Sequence, residues 1–287
     1  MTDLLKNVYV INLERSRDRL NNIDSNLKKY NINYKRFNAI DGKNLSLDII
    51  NNNTTLLCRY FLCNRSLIGC ALSHITLWEE ISKQEDKWHL ILEDDIEFSN
   101  NTIKFLKKLE ESSIINEDNI IISLSCIGPL CTELSYNSSS EIIQPIFPLG
   151  TPAYLITKNS AKKLYEYFIN NKINYHIDFQ IAWNHNNLGI KYLTIEPAVV
   201  NLSDNNSTIG PQSMYILANI LNYLGFNRLV WHLSVPLITI NLSFSINGFI
   251  ILWFLLLLLN IIIIHSVLLF IYLLFESIIY IILMKNY

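Results

Sequence analysis

The sequence predicts an α/β protein with a mostly parallel central sheet, followed by an apolar helical tail. Three observations carry this expectation. A strand, a helix and a second strand follow one another between Val8 and Ile40, and that order builds a βαβ unit. A short apolar run, Leu90-Ile91-Leu92, leads straight into three acids, Glu93, Asp94 and Asp95. From Phe249 to Leu283 nearly every residue is apolar, with Asn260, His265, Ser266, Glu276 and Ser277 the interruptions.

The elements follow in order. Val8 to Leu13, VYVINL, is β-branched and aromatic and suits a first strand. A helix is expected from Ser16 to Tyr30, because Leu20, Ile23 and Leu27 share one face at spacings of three and four. Tyr34 to Ile40 reads as the second strand, and Asp41-Gly42 as its turn. Asn44 to Ser66 mixes helix and loop signals. Ile68 to Glu85 reads as a helix with Leu72, Ile75, Leu77 and Trp78 in an apolar stripe. His74 lies beside that stripe, as a hydrogen-bonded core residue or as a catalyst.

Lys87 to Phe98 contains the acidic strand. Its apolar run suits a strand buried on both faces and equally a buried helical segment. Glu93, Asp94 and Asp95 read either as a solvated acidic turn or as a ligand set. Adjacent carboxylates repel, and a hard divalent ion such as Mg²⁺ or Mn²⁺ is their natural partner. Thr102 to Glu111 is an amphipathic helix and Asn119 to Leu124 a buried strand. Tyr136 to Glu141 is a Ser-rich loop. Gly150 to Thr157 turns into a strand, and Ser160 caps a helix to Phe168. Asp178 to Trp183 opens another helix. Ile190 to Val200 is a last strand, and Asn201 to Pro211 a loop.

Composition narrows the function. The 287 residues carry a net charge of −2 with Lys and Arg unmassed, which argues against a nucleic-acid surface. No GxGxxG follows the first strand and no GxxxxGK[ST] occurs, so those phosphate loops are unsupported. The five cysteines, Cys58, Cys63, Cys70, Cys126 and Cys131, include no CxxC pair. With no secretory signal, they are expected as free thiols. The tail would be about 52 Å long as one helix, against about 30 Å of hydrocarbon. It suits two spans starting near Leu233, one span with an interfacial segment, or an apolar core helix.

Six blocks add a resemblance: VYVINLERSRDRL at Val8, RFNAIDG at Arg36, IGCALSHITLWEEI at Ile68, LILEDDIEF at Leu90, GTPAYLITKNSAKKL at Gly150 and NLSDNNSTI at Asn201. Together they resemble glycosyltransferase family 25, the lipooligosaccharide and lipopolysaccharide β-galactosyltransferase group, over about residues 5 to 210. The resemblance implies a GT-A type fold, a UDP-sugar donor, most commonly UDP-galactose, and transfer with inversion. It implies a divalent cation, Mn²⁺ or Mg²⁺, on Asp95 first, then Asp94 and Glu93. Asn12, Arg15, Arg19, Ala39, Asp41, Gly150 and Thr151 are the expected nucleotide-sugar contacts. For Arg15 and Arg19 the alternative is surface ion pairing. Asp178 is the candidate base, or else a helix cap, and His74 a second catalytic candidate. Two departures are visible: CRYFLCNRSL from Cys58 replaces an expected Thr-Pro-Gly stretch, and the match around Asp178 is loose.

The combined expectation is a catalytic domain over 1–210, a linker or amphipathic segment over 211–232, and a membrane-associated helical tail over 233–284. The partners would be a nucleotide sugar, a glycolipid or lipooligosaccharide acceptor and membrane lipid, with the catalytic domain on the cytoplasmic face. The alternatives are a non-catalytic binding relative, against which the intact acids argue, and a channel-like membrane protein, against which the scarcity of polar tail residues argues.

Overall fold

The computed structural model describes residues 3–125, 141–145, 148, 150–196, 198–202, 236–241, 244–259 and 267–285. Cys126, Cys131, the Ser-rich loop up to its last residue, most of the loop after Asn201 and the 211–232 linker lie outside the described residues. The chain divides into two units, Met1–Thr54 with Arg65–Thr208, and Thr55–Asn64 with Ile209–Tyr287.

The first unit is organised on a seven-stranded sheet. Its strands are β1 (Val8–Asn12), β2 (Lys35–Asn38), β3 (Trp88–Glu93), β5 (Ile120–Ser123), β6 (Glu141–Ile143), β7 (Ala153–Thr157) and β8 (Lys191–Glu196), in the order β2-β1-β3-β7-β5-β8-β6. β4 (Ile96–Phe98) and β9 (Val200–Leu202) pair separately. β1 runs parallel to β2 and β3, and β5 to β8. β7 is antiparallel to both β3 and β5, and β6 to β8. The sheet is therefore mixed, which corrects the mostly parallel prediction. β7 is buried along its whole length, so its apolar run carries no mark of direction.

Period-two alternation sends β-strand side chains to two covered faces. Val8, Val10, Leu90, Leu92, Ile122 and Leu155 enter one core. Ile23 and Leu27 of α1 (Arg17–Lys28) pack there, with Phe105, Leu106 and Leu109 of α4 (Asn100–Glu110). α4 starts earlier than predicted, because Ser99 and Thr102 form a capping box. α2 (Leu47–Asn53) lies between β2 and α3 in sequence, within the mixed-signal stretch. On the other face, α3 (Arg65–Ser82) packs with α5 (Lys158–Asn171), and Trp78 stacks 5.8 Å from Phe168. α5 begins before Ser160, which sits inside the helix and bonds the Thr157 hydroxyl rather than capping. α6 (Ile177–Asn184) follows.

In the second unit Cys58–Leu62 form a single π-helical turn, which brings the Cα atoms of Cys58 and Cys63 to 4.8 Å. They are joined as a disulfide, correcting the free-thiol prediction for this pair. That separation is within bridging range, and the turn that creates it has no sequence signature of the CxxC kind. β10 (Pro236–Asn241) and β11 (Phe244–Asn247) form an antiparallel hairpin. α7 (Gly248–Leu259) and α8 (Val267–Lys285) follow, tied by the Trp253 Nε1 bond to the Leu273 carbonyl, 3.3 Å.

The membrane tail is corrected here. Within the span expected from Leu233, Pro236–Asn241 and Phe244–Asn247 form a β-hairpin, and the described residues of the apolar run after it lie in two helices, α7 and α8. α7 has 12 residues, about 18 Å against about 30 Å of hydrocarbon. The described part of α8 carries a buried acid, Glu276. No helix among the described residues is long and apolar enough to cross a membrane. The transmembrane helix, the lipid partner and the membrane location with a cytoplasmic-facing catalytic domain lose their basis with it.

Candidate active site

The parallel strands β1 and β3 end side by side, Ile11 opposite Glu93. Glu93, Asp94 and Asp95 therefore leave the sheet at one edge, beside the turn that follows Asn12. Asn12 is 1 % exposed and works as a support. Its Nδ2 donates to Asp94 Oδ2 at 2.6 Å and to the Ser16 carbonyl at 3.1 Å, and its Oδ1 accepts from Arg36 Nε at 3.0 Å. Arg19, on the first turn of α1, reaches Asp94 Oδ1 at 3.0 Å and Asp95 Oδ2 at 3.4 Å. Two carboxylates thus share one guanidinium, and Glu93 stands beside them. Burial, then the Glu93 charge, pushes the Asp95 carboxyl up to about 6, with Arg19 opposing. The excess negative charge left by the protein's own groups fits a divalent cation.

β7 brings in the next residues. Because it runs against β3, its beginning lies beside the end of β3, Ala153 opposite Leu92. Gly150 and Thr151 therefore sit at the same edge. The Thr151 hydroxyl donates to Glu93 Oε1 at 3.1 Å. Gly150, at φ 82°, donates its N–H to Asp178 Oδ2 at 2.9 Å. That left-handed backbone is open to glycine at little cost. Asp178 lies in the first turn of α6, and its other oxygen accepts from Phe179 N at 2.9 Å. The N-cap of α6 is His176, not Asp178.

α3 supplies the third side. Gly42 and Gly69 let its first turns dock backbone to backbone on the exit of β2. A Cβ on Gly69 would stand 2.5 Å from the Ile40 carbonyl oxygen, and one on Gly42 would stand 1.8 Å from that of Arg65. Ser73 completes the joint, accepting from Ile40 N at 2.8 Å and donating to the Gly69 carbonyl at 2.7 Å. The segment holding Ala39 and Asp41 is fixed by this joint and by the Ala39 N bond to the Asn12 carbonyl, 3.0 Å. Arg15 pairs with Asp41 at 2.7 Å in a partly exposed position.

His74 is 1 % exposed, with Nδ1 2.9 Å from the Tyr154 hydroxyl and Nε2 3.4 Å from Glu93 Oε1. Trp78 Nε1 donates to the same hydroxyl at 2.9 Å. One ligand atom each from Cys70, His74 and Glu93 lies within 4.8 Å of the others, so these three residues could hold a metal ion.

The predicted residues thus fall into clusters. Asp94, Asp95, Asn12 and Arg19 meet directly, Thr151 and His74 meet Glu93, and Gly150 joins Asp178. Arg15 and Asp41 hold each other, and Ala39 holds Asn12 through backbone. Sequence reasoning missed Cys70, Ser73 and Tyr154. Cys70 was legible as the residue one helical turn before His74.

The model of the family described as "Glycosyltransferase family 25 (LPS biosynthesis protein)" matches residues 5–181. The chain belongs to glycosyltransferase family 25. Sugar transfer is the class that the family's description names, and the acidic edge and the Cys70 group lie within the matched residues. A human protein named procollagen galactosyltransferase 2 is 27 % identical over 167 residues, 55 % of this chain and 27 % of that one. A mimivirus protein named putative glycosyltransferase R655 is 30 % identical over 154 residues, 51 % of this chain and 46 % of that one. A putative glycosyltransferase of Haemophilus influenzae is 28 % identical over 176 residues, 59 % of this chain and 60 % of that one. The matches span less than two thirds of these relatives' lengths.

Proposed function

We propose that this family 25 enzyme moves galactose from UDP-galactose to a hydroxyl of a glycolipid or lipooligosaccharide acceptor, with inversion and with Mn²⁺ or Mg²⁺ bound. The observation that carries the reading is the packing of Asp94 and Asp95 on the Arg19 guanidinium at the ends of β1 and β3, with Glu93 close enough to raise the Asp95 carboxyl. Galactose is supported by the relative whose name is a galactosyltransferase, and the acceptor class by the description of the family.

Asp95 is the first carboxylate for the ion, since Asp94 is held by Asn12 and Arg19 and one Glu93 oxygen by Thr151 and His74. A bound divalent ion supplies Lewis-acid stabilisation of the charge on a departing diphosphate. The protein's own residues do the rest. Asn12 and Arg19 fix Asp94 and keep the acidic edge in register. Asp41 and Ala39 line the uridine and ribose side, and Arg15 exchanges Asp41 for phosphate when the donor enters. Thr151 holds Glu93, and the Gly150 N–H aims Asp178. Asp178 takes the proton of the attacking hydroxyl, which frees its oxygen to reach the anomeric carbon from the face opposite UDP. The activity belongs to residues 1–210.

The test is release and transfer of label from radiolabelled UDP-galactose, with Mn²⁺ and with EDTA. Transfer with Mn²⁺ and its loss with EDTA are expected. Asp178→Asn should lower kcat by about 100-fold or more while UDP binding is kept. Wild-type turnover in EDTA would overturn the metal-assisted mechanism, and unchanged kcat in Asp178→Asn would remove its role as base.

A further inference from the structure

We propose that Cys70, His74 and Glu93 form a second metal site, selective for a thiophilic divalent ion of the zinc class, with its fourth position open. The donors are placed by two rigid elements. Cys70 and His74 are one turn apart on α3, so both side chains leave the same face of that helix. Glu93 closes β3, and the three donor atoms lie within 4.8 Å of one another. The docking of Gly69 on the Ile40 carbonyl leaves α3 little room to slide along the sheet, which fixes Cys70 at this edge.

A separate observation points to metal ligation by the histidine. A ligating imidazole is held by a partner on its other nitrogen. Here that partner is built in: the Tyr154 hydroxyl lies 2.9 Å from Nδ1, and Trp78 Nε1 fixes the same oxygen. With the ion bound, Nδ1 would donate its proton to the Tyr154 hydroxyl, and the Nε2 lone pair, on the Glu93 side of the ring, would be left for the metal. The ring is 1 % exposed, so its orientation is set by these bonds and not by solvent.

The donor set decides which ion. One sulfur, one imidazole nitrogen and one carboxylate oxygen suit zinc, whose sites with three protein ligands leave a fourth position for water or substrate. Magnesium and manganese prefer oxygen and gain little from the sulfur. As the metal–sulfur bond forms, the Cys70 thiol proton leaves to water. The inference rests on these three donors and not on the sugar-transfer reading. Occupancy would engage the Glu93 oxygen that Thr151 and His74 now share.

Cobalt(II) added to the full-length protein without nucleotide tests this. The expected result is a near-ultraviolet sulfur-to-cobalt charge-transfer band that saturates, is displaced by Zn²⁺ and is not displaced by Mg²⁺. Cys70→Ser should remove that band, and Tyr154→Phe should weaken cobalt affinity by about 10- to 100-fold. Any contribution from Cys126 or Cys131 would survive in Cys70→Ser. A second measurement needs no variant. Zn²⁺ should slow alkylation of Cys70, read by peptide mass mapping, and EDTA should restore it. A cobalt band unchanged by Cys70→Ser overturns the site. So does an alkylation rate at Cys70 that ignores Zn²⁺, and this second result decides the matter if Cys70→Ser does not fold. Neither readout depends on sugar transfer, so a failed galactose assay leaves this test intact.

Discussion

Asp94 and Asp95 are neighbours in sequence with different tasks. Asp94 is 8 % exposed and held on both oxygens by Asn12 and Arg19, whereas Asp95 has the longer contact to Arg19. Asp95→Asn should therefore weaken divalent-ion binding in the presence of UDP, measured by titration calorimetry, and lower kcat with little change in fold. Asp94→Ala should instead cost stability, because it removes the shorter acceptor of both the Asn12 amide and the Arg19 guanidinium at a buried edge. Burial of His89 makes a different prediction. Its Nε2 faces the Asp86 carbonyl at 3.0 Å, and its buried Nδ1 has no partner among the described residues. Burial lowers its pKa below 6.5, with Asp86 opposing. The unfolded chain then takes a proton that the folded one refuses, so this residue's stabilisation is present above about pH 6.5 and is lost as pH falls further. His89→Gln keeps a donor for Asp86. Thermal melts in EDTA from pH 7.5 to 5.5 should show a smaller acid loss in His89→Gln than in wild type. The three acids were legible in sequence because their types and adjacency announce a charge problem. The split between Asp94 and Asp95 was not, since it depends on Asn12 and Arg19, more than seventy residues away.

At the scale of elements, α1 and the stripe of α3 were legible from spacing alone: Ile23, Leu27 and Trp78 are buried as expected. The α3 docking was not, because a glycine leaves no pattern to read and its partner atoms are backbone. Gly69→Ala should push α3 off the Ile40 carbonyl, destabilise the protein by about 1–3 kcal/mol and raise KM for the donor, since Ala39 and Asp41 ride on that joint. Melting and steady-state kinetics on the one variant check both. An unchanged KM beside a lowered Tm would separate the joint from donor binding. The Cys58–Cys63 bridge went unread for a related reason: it needs a π-helical turn, which no residue spacing announces. Similarly, Pro236–Asn241 and Phe244–Asn247 are strands although they begin an overwhelmingly apolar tail. Mean apolarity outweighed the β-branched residues in that stretch, and the hairpin was missed.

For the whole molecule, the fold class was legible as α/β and the family from six ordered blocks, while sheet direction was not. β7 lies between β3 and β5 in the sheet, yet it is made after both. The reversal matters on the ribosome. A nascent chain that has reached Ser123 has β3 and β5 but nothing to join them, and each presents a bare hydrogen-bonding edge of apolar residues. Arg19, Asp94 and Asp95 have all been made by then, but Glu93 still lacks Thr151, and His74 lacks Tyr154, 80 residues downstream. Such distant pairings close late and leave sticky intermediates behind them. Nascent chains stalled with Gly150 as the last exposed residue should stay protease-sensitive and bound by a holdase chaperone. Chains stalled after Leu202 has emerged should resist protease. Resistance already at Gly150 would mean that the N-terminal strands close without their central partner. The strand that aims Gly150 and Thr151 at the acidic edge thus also sets when, during synthesis, the protein stops needing protection.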